Sequence, residues 1–167
     1  MEHDDEQDEF LRQLQRNDRL IYKVCMAFTD RQPDNVRDLY QDIVCNLWEG
    51  RRQWHGQCSE STWHYRVALN TAISQWRRRR RRRHPTVVEL TPEMAERLAE
   101  EQGDTLVAEL YRRIDRLGNA DKAVTLLYLD GLSQAEMADI LGINEAAVGM
   151  RVMRIKKKLQ TIKKEDL

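Results

Sequence analysis

The sequence predicts an all-α protein of two small helical domains joined by a linker, the C-terminal domain containing a helix-turn-helix. Three observations carry this. Apolar residues recur at spacings of three and four over most of the chain, interrupted by only three prolines and seven glycines. The pattern lapses between residues 84 and 104, which open on His84-Pro85 and are acidic. The stretch from Ser133 to Leu159 reads as two capped helices about a glycine turn. The expected boundaries are 1–83, 84–104 and 105–167.

The first helix is expected from about Asp8 to Thr29, with Phe10, Leu14, Ile21, Val24 and Phe28 on its apolar face. Pro33 ends that pattern. A second helix, from about Asp34 to Glu49, sets Val36, Leu39, Tyr40, Ile43, Leu47 and Trp48 on one side and Asp38, Gln41, Asp42 and Glu49 on the other. A loop from Arg51 to about Glu60 holds Trp54, Gly56 and Ser59. A long helix from about Ser61 to Arg80 then has Tyr65, Leu69, Ala72, Ile73 and Trp76 as its core side. On another side Trp63, Arg66, Asn70 and Arg77 fall within a sector of about 60°. That mix of aromatic ring, amide and guanidinium suits unpaired bases, which stack on rings while cations follow the backbone. The run Arg77 to Arg83, Arg78 included, continues this helix and is placed to contact phosphate.

Within 84–104 a short helix is expected, with Thr91 as cap, Pro92 at its first position and Gly103 at its end. Helices at about 105–117 and 120–130 follow, with Leu106, Leu110, Ile114, Leu117, Val124, Leu127 and Tyr128 packing under the helix-turn-helix. There, Ser133 and Glu136 form a capping box, Leu132 and Met137 a hydrophobic staple, and Gly142 supplies the left-handed residue that ends the helix. Ile143 is expected to turn inward. Asn144 caps the second helix, whose seam is Val148, Val152, Ile155 and Leu159. Opposite that seam lie Ala146, Met150, Met153, Arg154 and Lys157, flanked by Arg151, Lys156 and Lys158. Seven Lys or Arg and no acid occur from Gly149 to Lys164, so this face suits a major groove.

Composition narrows the function classes. The formal net charge is zero, but residues 2–9 carry six acids, Arg77 to Arg83 seven arginines, and residues 84–110 seven acids against Arg97 alone. Order matters more than sum here: two basic surfaces are separated by an acidic connection. No apolar run approaches the ~18 residues of a membrane span, so no direct membrane insertion is expected. The acidic N-terminus does not resemble a secretory signal, which points to the cytoplasm. Cys25, Cys45 and Cys58 contain no C-x-x-C, and His55 with Cys58 has no second pair of ligands. No metal, cofactor or catalytic residue is expected.

These residues together resemble the extracytoplasmic-function sigma factors, the smallest members of the sigma-70 family, over roughly 10–83 and 105–160. Asp34-Asn35-Val36-Arg37-Asp38-Leu39-Tyr40-Gln41-Asp42 with Leu47-Trp48 is similar to the family's core-polymerase-binding helix, which implies that Asp38, Leu39, Gln41 and Asp42 face the polymerase. Thr62-Trp63, Tyr65-Arg66-Val67-Ala68 and Asn70-Thr71-Ala72 resemble its promoter-melting helix, and the loop from Trp54 through Ser59 to Ser61 would hold a flipped-out base of the downstream element. Leu132 to Ala138, Leu141-Gly142-Ile143 and Val148 through Arg151 to Arg154 resemble its reader of the upstream element. Two departures stand out. Glu60 occupies a position where an aromatic is usual, in a loop longer by about one residue, and Gly149-Met150 replace a cation and a small polar residue. Upstream recognition is thus expected to lean on phosphates, shape and thymine methyls.

The resemblance implies a factor that binds core RNA polymerase, directs it to promoter DNA and is held by an anti-sigma factor. It is not an enzyme on this reading. The alternative is a helix-turn-helix regulator binding duplex DNA alone, which leaves the N-terminal faces without a role. A helical interaction module does not account for two basic surfaces, and a nuclease lacks a cluster of carboxylates or histidines at metal-ligand spacing.

Overall fold

The computed structural model describes residues 2–82 and 105–165, and the short helix expected between Thr91 and Gly103 lies outside them. Among the described residues are seven helices and no strand: α1 (Glu2–Phe28), α2 (Pro33–Gly50), α3 (Glu60–Arg82), α4 (Thr105–Asp115), α5 (Asn119–Leu129), α6 (Gln134–Leu141) and α7 (Glu145–Glu165). None is long and apolar enough to cross a membrane.

Helices α1 to α3 pack on one another. Pro33 opens α2 rather than only ending α1, because a first-turn residue needs no amide hydrogen. Leu39, Ile43 and Leu47, four residues apart, are fully buried against Ile21, Val24, Leu69 and Ala72 of the same core. Helix α1 starts about six residues earlier than the apolar pattern alone suggests. Its acids find cations there: Glu6 meets Arg51 at 3.0 Å, and Glu9 meets Arg12 and Arg16.

In the second half α5, α6 and α7 pack together and α4 joins α5. The capping box at Ser133 is present, and Gly142 ends α6 with a left-handed φ of 66°. Val148, Val152 and Ile155 are buried as a seam. Several expected core residues are not. Leu110 and Leu106 are 37% and 79% exposed, because the neighbouring helices cover the side of α4 that holds Ile114 and stop short of the sector where Leu110 and Leu106 lie, about 40° and 80° round the helix. Tyr128 stays outside with the Lys156 ammonium 4.8 Å from its ring, and Ile143 remains exposed instead of turning in. Trp76 is also outside the core, lining a small cleft with Phe28 and Thr29 at the end of α1.

The two halves touch. Helix α3 packs on α6, and α1 on α4 and α5.

Candidate nucleic-acid interface

The loop between α2 and α3 is held by its own polar groups. The Trp54 indole N–H donates to the Cys58 carbonyl at 3.1 Å, the His55 amide donates to Gln57 Oε1 at 2.9 Å, and Gly56 takes a left-handed φ of 75°. Ser59 then caps α3, its hydroxyl oxygen accepting from the Thr62 amide at 3.1 Å. Glu60 has a structural task where the resemblance expected an aromatic. Its carboxylate accepts from Arg16 at 3.1 and 2.8 Å and from Asn17 at 2.8 Å, tying α3 to α1. The Arg16 guanidinium accordingly holds the Glu60 carboxyl below the usual range.

This framework brings Trp54 over Trp63, rings within 16° of parallel and centroids 5.7 Å apart. Beside them opens a cleft of about 680 Å³ lined by Trp54, Trp63, Arg66, Asn70 and Arg78. These were expected together. Ser59 and Arg77 are not in the lining: Ser59 is spent on its cap, and Arg77 is exposed on an adjacent side of α3. Sequence reasoning missed Asn46, Gln53, Gln57, Thr71 and Ser74, which line the same cleft. The available signal was their chemistry, since amides and hydroxyls flanking an aromatic loop are the groups that hydrogen-bond base edges. Asn46 is held in place by donating to Thr71 Oγ1 at 2.8 Å. An aromatic wall, amides and two guanidinium groups can stack a base, bond its edge and hold its phosphate.

On the second half, α7 presents Ala146, Met150, Met153, Arg154 and Lys157 to solvent, with both methionines about two-thirds exposed. Arg151 is half-buried instead, 3.4 Å from Asp121, so its charge is partly engaged within the fold. Ser133 and Asn144 use their side chains as caps, Ser133 for the Glu136 amide and Asn144 for the Ala147 amide at 2.8 Å. At Gly149 a Cβ would lie 3.1 Å from Gln134 Oε1, the end of an exposed side chain of α6.

Of the four α2 residues expected to face polymerase, three are at the surface. Asp38, Gln41 and Asp42 are exposed, and Asp42 accepts from Gln75 Nε2 at 2.8 Å. Leu39 is fully buried beside Ile43 and Leu47 and has no surface to offer a partner.

Comparison with known proteins adds to this geometry. The family model described as sigma-70 region 2 matches residues 14–82, and sigma-70 region 4 matches residues 108–159. The chain is 30% identical over 148 residues to the ECF RNA polymerase sigma factor SigM of Mycobacterium tuberculosis, covering 87% of this chain and 72% of that one. It is 27% identical to SigG of the same organism over 166 residues, covering 83% of this chain but 44% of SigG. In fold it resembles CnrH, solved in complex with the cytosolic domain of CnrY, at a TM-score of 0.71 and 22% identity over 96% of this chain and 91% of that one. It also resembles the sigma factor RpoE of Bartonella quintana, solved in complex with the anti-sigma factor NepR, at a TM-score of 0.68 and 19% identity over 98% of this chain and 99% of that one.

Proposed function

Because the chain belongs to the extracytoplasmic-function group of sigma-70 RNA polymerase sigma factors, we propose that its two halves divide promoter recognition, with residues 1–83 acting on the melted downstream element and 105–167 on the upstream duplex. As a sigma factor it directs core RNA polymerase to initiate transcription at promoters. The polymerase performs the chemistry, and the chain itself is not an enzyme.

The observation that carries the division of labour is the Trp54–Trp63 cleft, where Arg66, Asn70 and Arg78 converge on an aromatic wall. An unstacked base would enter it, with Asn46, Gln53, Gln57 and Asn70 as edge readers and the two arginines on the backbone. On α7, Arg154 and Lys157 hold phosphate or base edges, and Met150 and Met153 offer apolar contact for thymine methyls. Ser133, Asn144 and Arg151 support that surface by fixing helix starts and by pairing with Asp121. Asp38, Gln41 and Asp42 form an acidic-amide docking face for core polymerase, and Leu39 holds it from beneath. The site of action is the cytoplasm, and an anti-sigma factor holds the free protein, as the complexes of CnrH and RpoE suggest by likeness.

The test is run-off transcription with core polymerase and a promoter library, comparing the wild type with Trp63→Ala, Asn70→Ala and Arg154→Ala. The cleft variants are expected to lose opening or downstream specificity, and Arg154→Ala to lose upstream specificity. Promoter selection unchanged in all three would overturn the assignment. The regulator-alone alternative is not favoured, since residues 14–82 match sigma-70 region 2.

A further inference from the structure

The ion pairs between the two halves all run in one direction. Asp130, in the turn before α6, accepts from the Tyr65 hydroxyl of α3 and from the Lys23 ammonium of α1. Arg31 grips Asp115 through two bonds of 3.1 and 2.6 Å. Arg66 donates to the Asp139 carbonyl at 2.8 Å, with the Asp139 carboxylate at 3.4 Å. In these ion pairs the cations come from the first half and the carboxylates from the second, while Lys122 of α5 crosses the other way, its ammonium donating to the Ala27 carbonyl at 3.1 Å.

Two of these residues sit where the strand is expected. Arg66 is a guanidinium of the Trp54–Trp63 cleft, and Asp139 of α6 lines the same cleft from the other half. We propose that Asp139 occupies the mouth of this cleft in place of a nucleic-acid phosphate, so that docking of the two halves and entry of a single strand exclude each other. The inference rests on reading the cleft as the strand site. An anion delivered on a folded helix meets the same guanidinium that would hold a phosphate, and the packing of α6 on α3 brings it there without a ligand.

The pair at the cleft is the weakest of the three. Asp139 and Arg66 side chains are 59% and 38% exposed, and ion pairs of that exposure are weak and screened by salt. The 21 residues of 84–104 could span roughly 70 Å if extended, enough to let the halves part. The outer face of α7 takes no part: Met150, Met153 and Arg154 remain exposed in the docked chain. Docking therefore withholds the single-strand site while leaving the duplex reader open.

The test uses the intact chain, a fluorescein-labelled single-stranded oligodeoxynucleotide of mixed sequence, and small-angle scattering for the radius of gyration. Asp130→Asn/Asp139→Asn, the lock variant, removes two of the three carboxylates at the contact, the two that face α3, with little change of shape. Asp5→Asn/Asp8→Asn, on exposed positions of α1, makes the same change of net charge elsewhere. The lock variant is expected to expand and to bind the strand at least about fivefold tighter than the charge control, the lower end of ordinary coupling between sites. Arg66→Ala removes a partner of the lock as well as a strand contact, so its weakening of binding is expected most clearly in the lock variant, where Asp139 no longer competes. If the lock variant binds no better than the control while Arg66→Ala still weakens both, the masking is wrong although the cleft reading stands. If Arg66→Ala changes binding in neither, the cleft is not the strand site, and the proposal falls with it.

Discussion

Leu39 and Asp42 are three residues apart on α2 and are held by different physics, so their substitutions should fail differently. Leu39→Ala empties a fully buried site and is expected to cost about 2–5 kcal/mol of folding stability in a urea titration. Asp42→Arg gives up one exposed bond to Gln75 and should change stability by about 0.5 kcal/mol. Reversing a docking charge should nevertheless cost about 2–5 kcal/mol of association with core polymerase. An Asp42→Arg protein that folds, binds polymerase normally and initiates transcription would remove that face from the docking surface. Arg154→Ala should leave polymerase binding intact and weaken upstream binding by about 1–3 kcal/mol if it reads a base, or flatten the salt slope if it touches only phosphate. A third residue sets a pH dependence. His64 is wholly buried, Nδ1 donating to the Glu60 carbonyl at 2.8 Å and Nε2 without a protein partner. Burial, with Arg16 adding a little, holds its pKa below 6.5 against the opposing pull of Glu60. The unfolded chain therefore takes up this proton at higher pH than the folded one. Its contribution is full above about pH 6.5 and is lost as pH falls from there toward the folded value. The urea midpoint should drop between about pH 7.5 and 5.5, and by less in His64→Gln; equal drops would assign the effect to another group.

Helix ends were the most legible elements, because a cap is chemistry between neighbours in sequence. Ser133, Glu136, Gly142 and Asn144 do in the structure what their spacing implies. Gly142 and Gly149 then make opposite predictions. Gly142 has a left-handed φ of 66°, so Gly142→Ala should cost about 1 kcal/mol. Gly149 is inside α7, and the Cβ of Gly149→Ala would meet only the tip of the exposed Gln134 side chain. That tip can move, and helix propensity favours Ala by about 1 kcal/mol, so Gly149→Ala should raise the thermal midpoint. A fall would mean that the α6–α7 approach tolerates no added atom. The α2–α3 loop was less legible. Its aromatic content was plain, but its shape depends on Trp54 reaching the Cys58 carbonyl and on Arg16 reaching Glu60 across 44 positions. Neither pairing has a periodic signature. Leu106, Leu110 and Tyr128 failed as core residues for a related reason: an apolar side chain on a helix reveals a face, but the neighbouring helix decides how wide that face is.

At the scale of the whole molecule, two domains and an acidic connection could be read from charge order, yet the way the domains meet could not. Asp115, Asp130 and Asp139 look in sequence like ordinary solvated positions, and only the fold places them opposite Arg31, Lys23 and Arg66. The acids of the N-terminus and of 84–104 read in sequence only as acidic blocks. In the structure Glu6 and Glu9 are engaged with Arg51, Arg12 and Arg16, and residues 84–104 lie outside the described chain. The side-chain bonds between the halves are polar, whereas the residues most deeply buried on either side, such as Ile21, Leu39 and Ile43 or Ile114, Leu127 and Val148, are apolar. Screening should therefore act on the contact between halves before it acts on either core. In scanning calorimetry at low salt the docked halves are expected to unfold in one transition. Near 1 M salt, where the screening length falls to about 3 Å, two transitions should separate. The Asp130→Asn/Asp139→Asn chain should show the two transitions already at low salt. A single transition in both proteins at both salt concentrations would mean that apolar packing between α1 and α4 or α5, rather than the charge pairs, joins the halves, and that neutralising these carboxylates does not separate them.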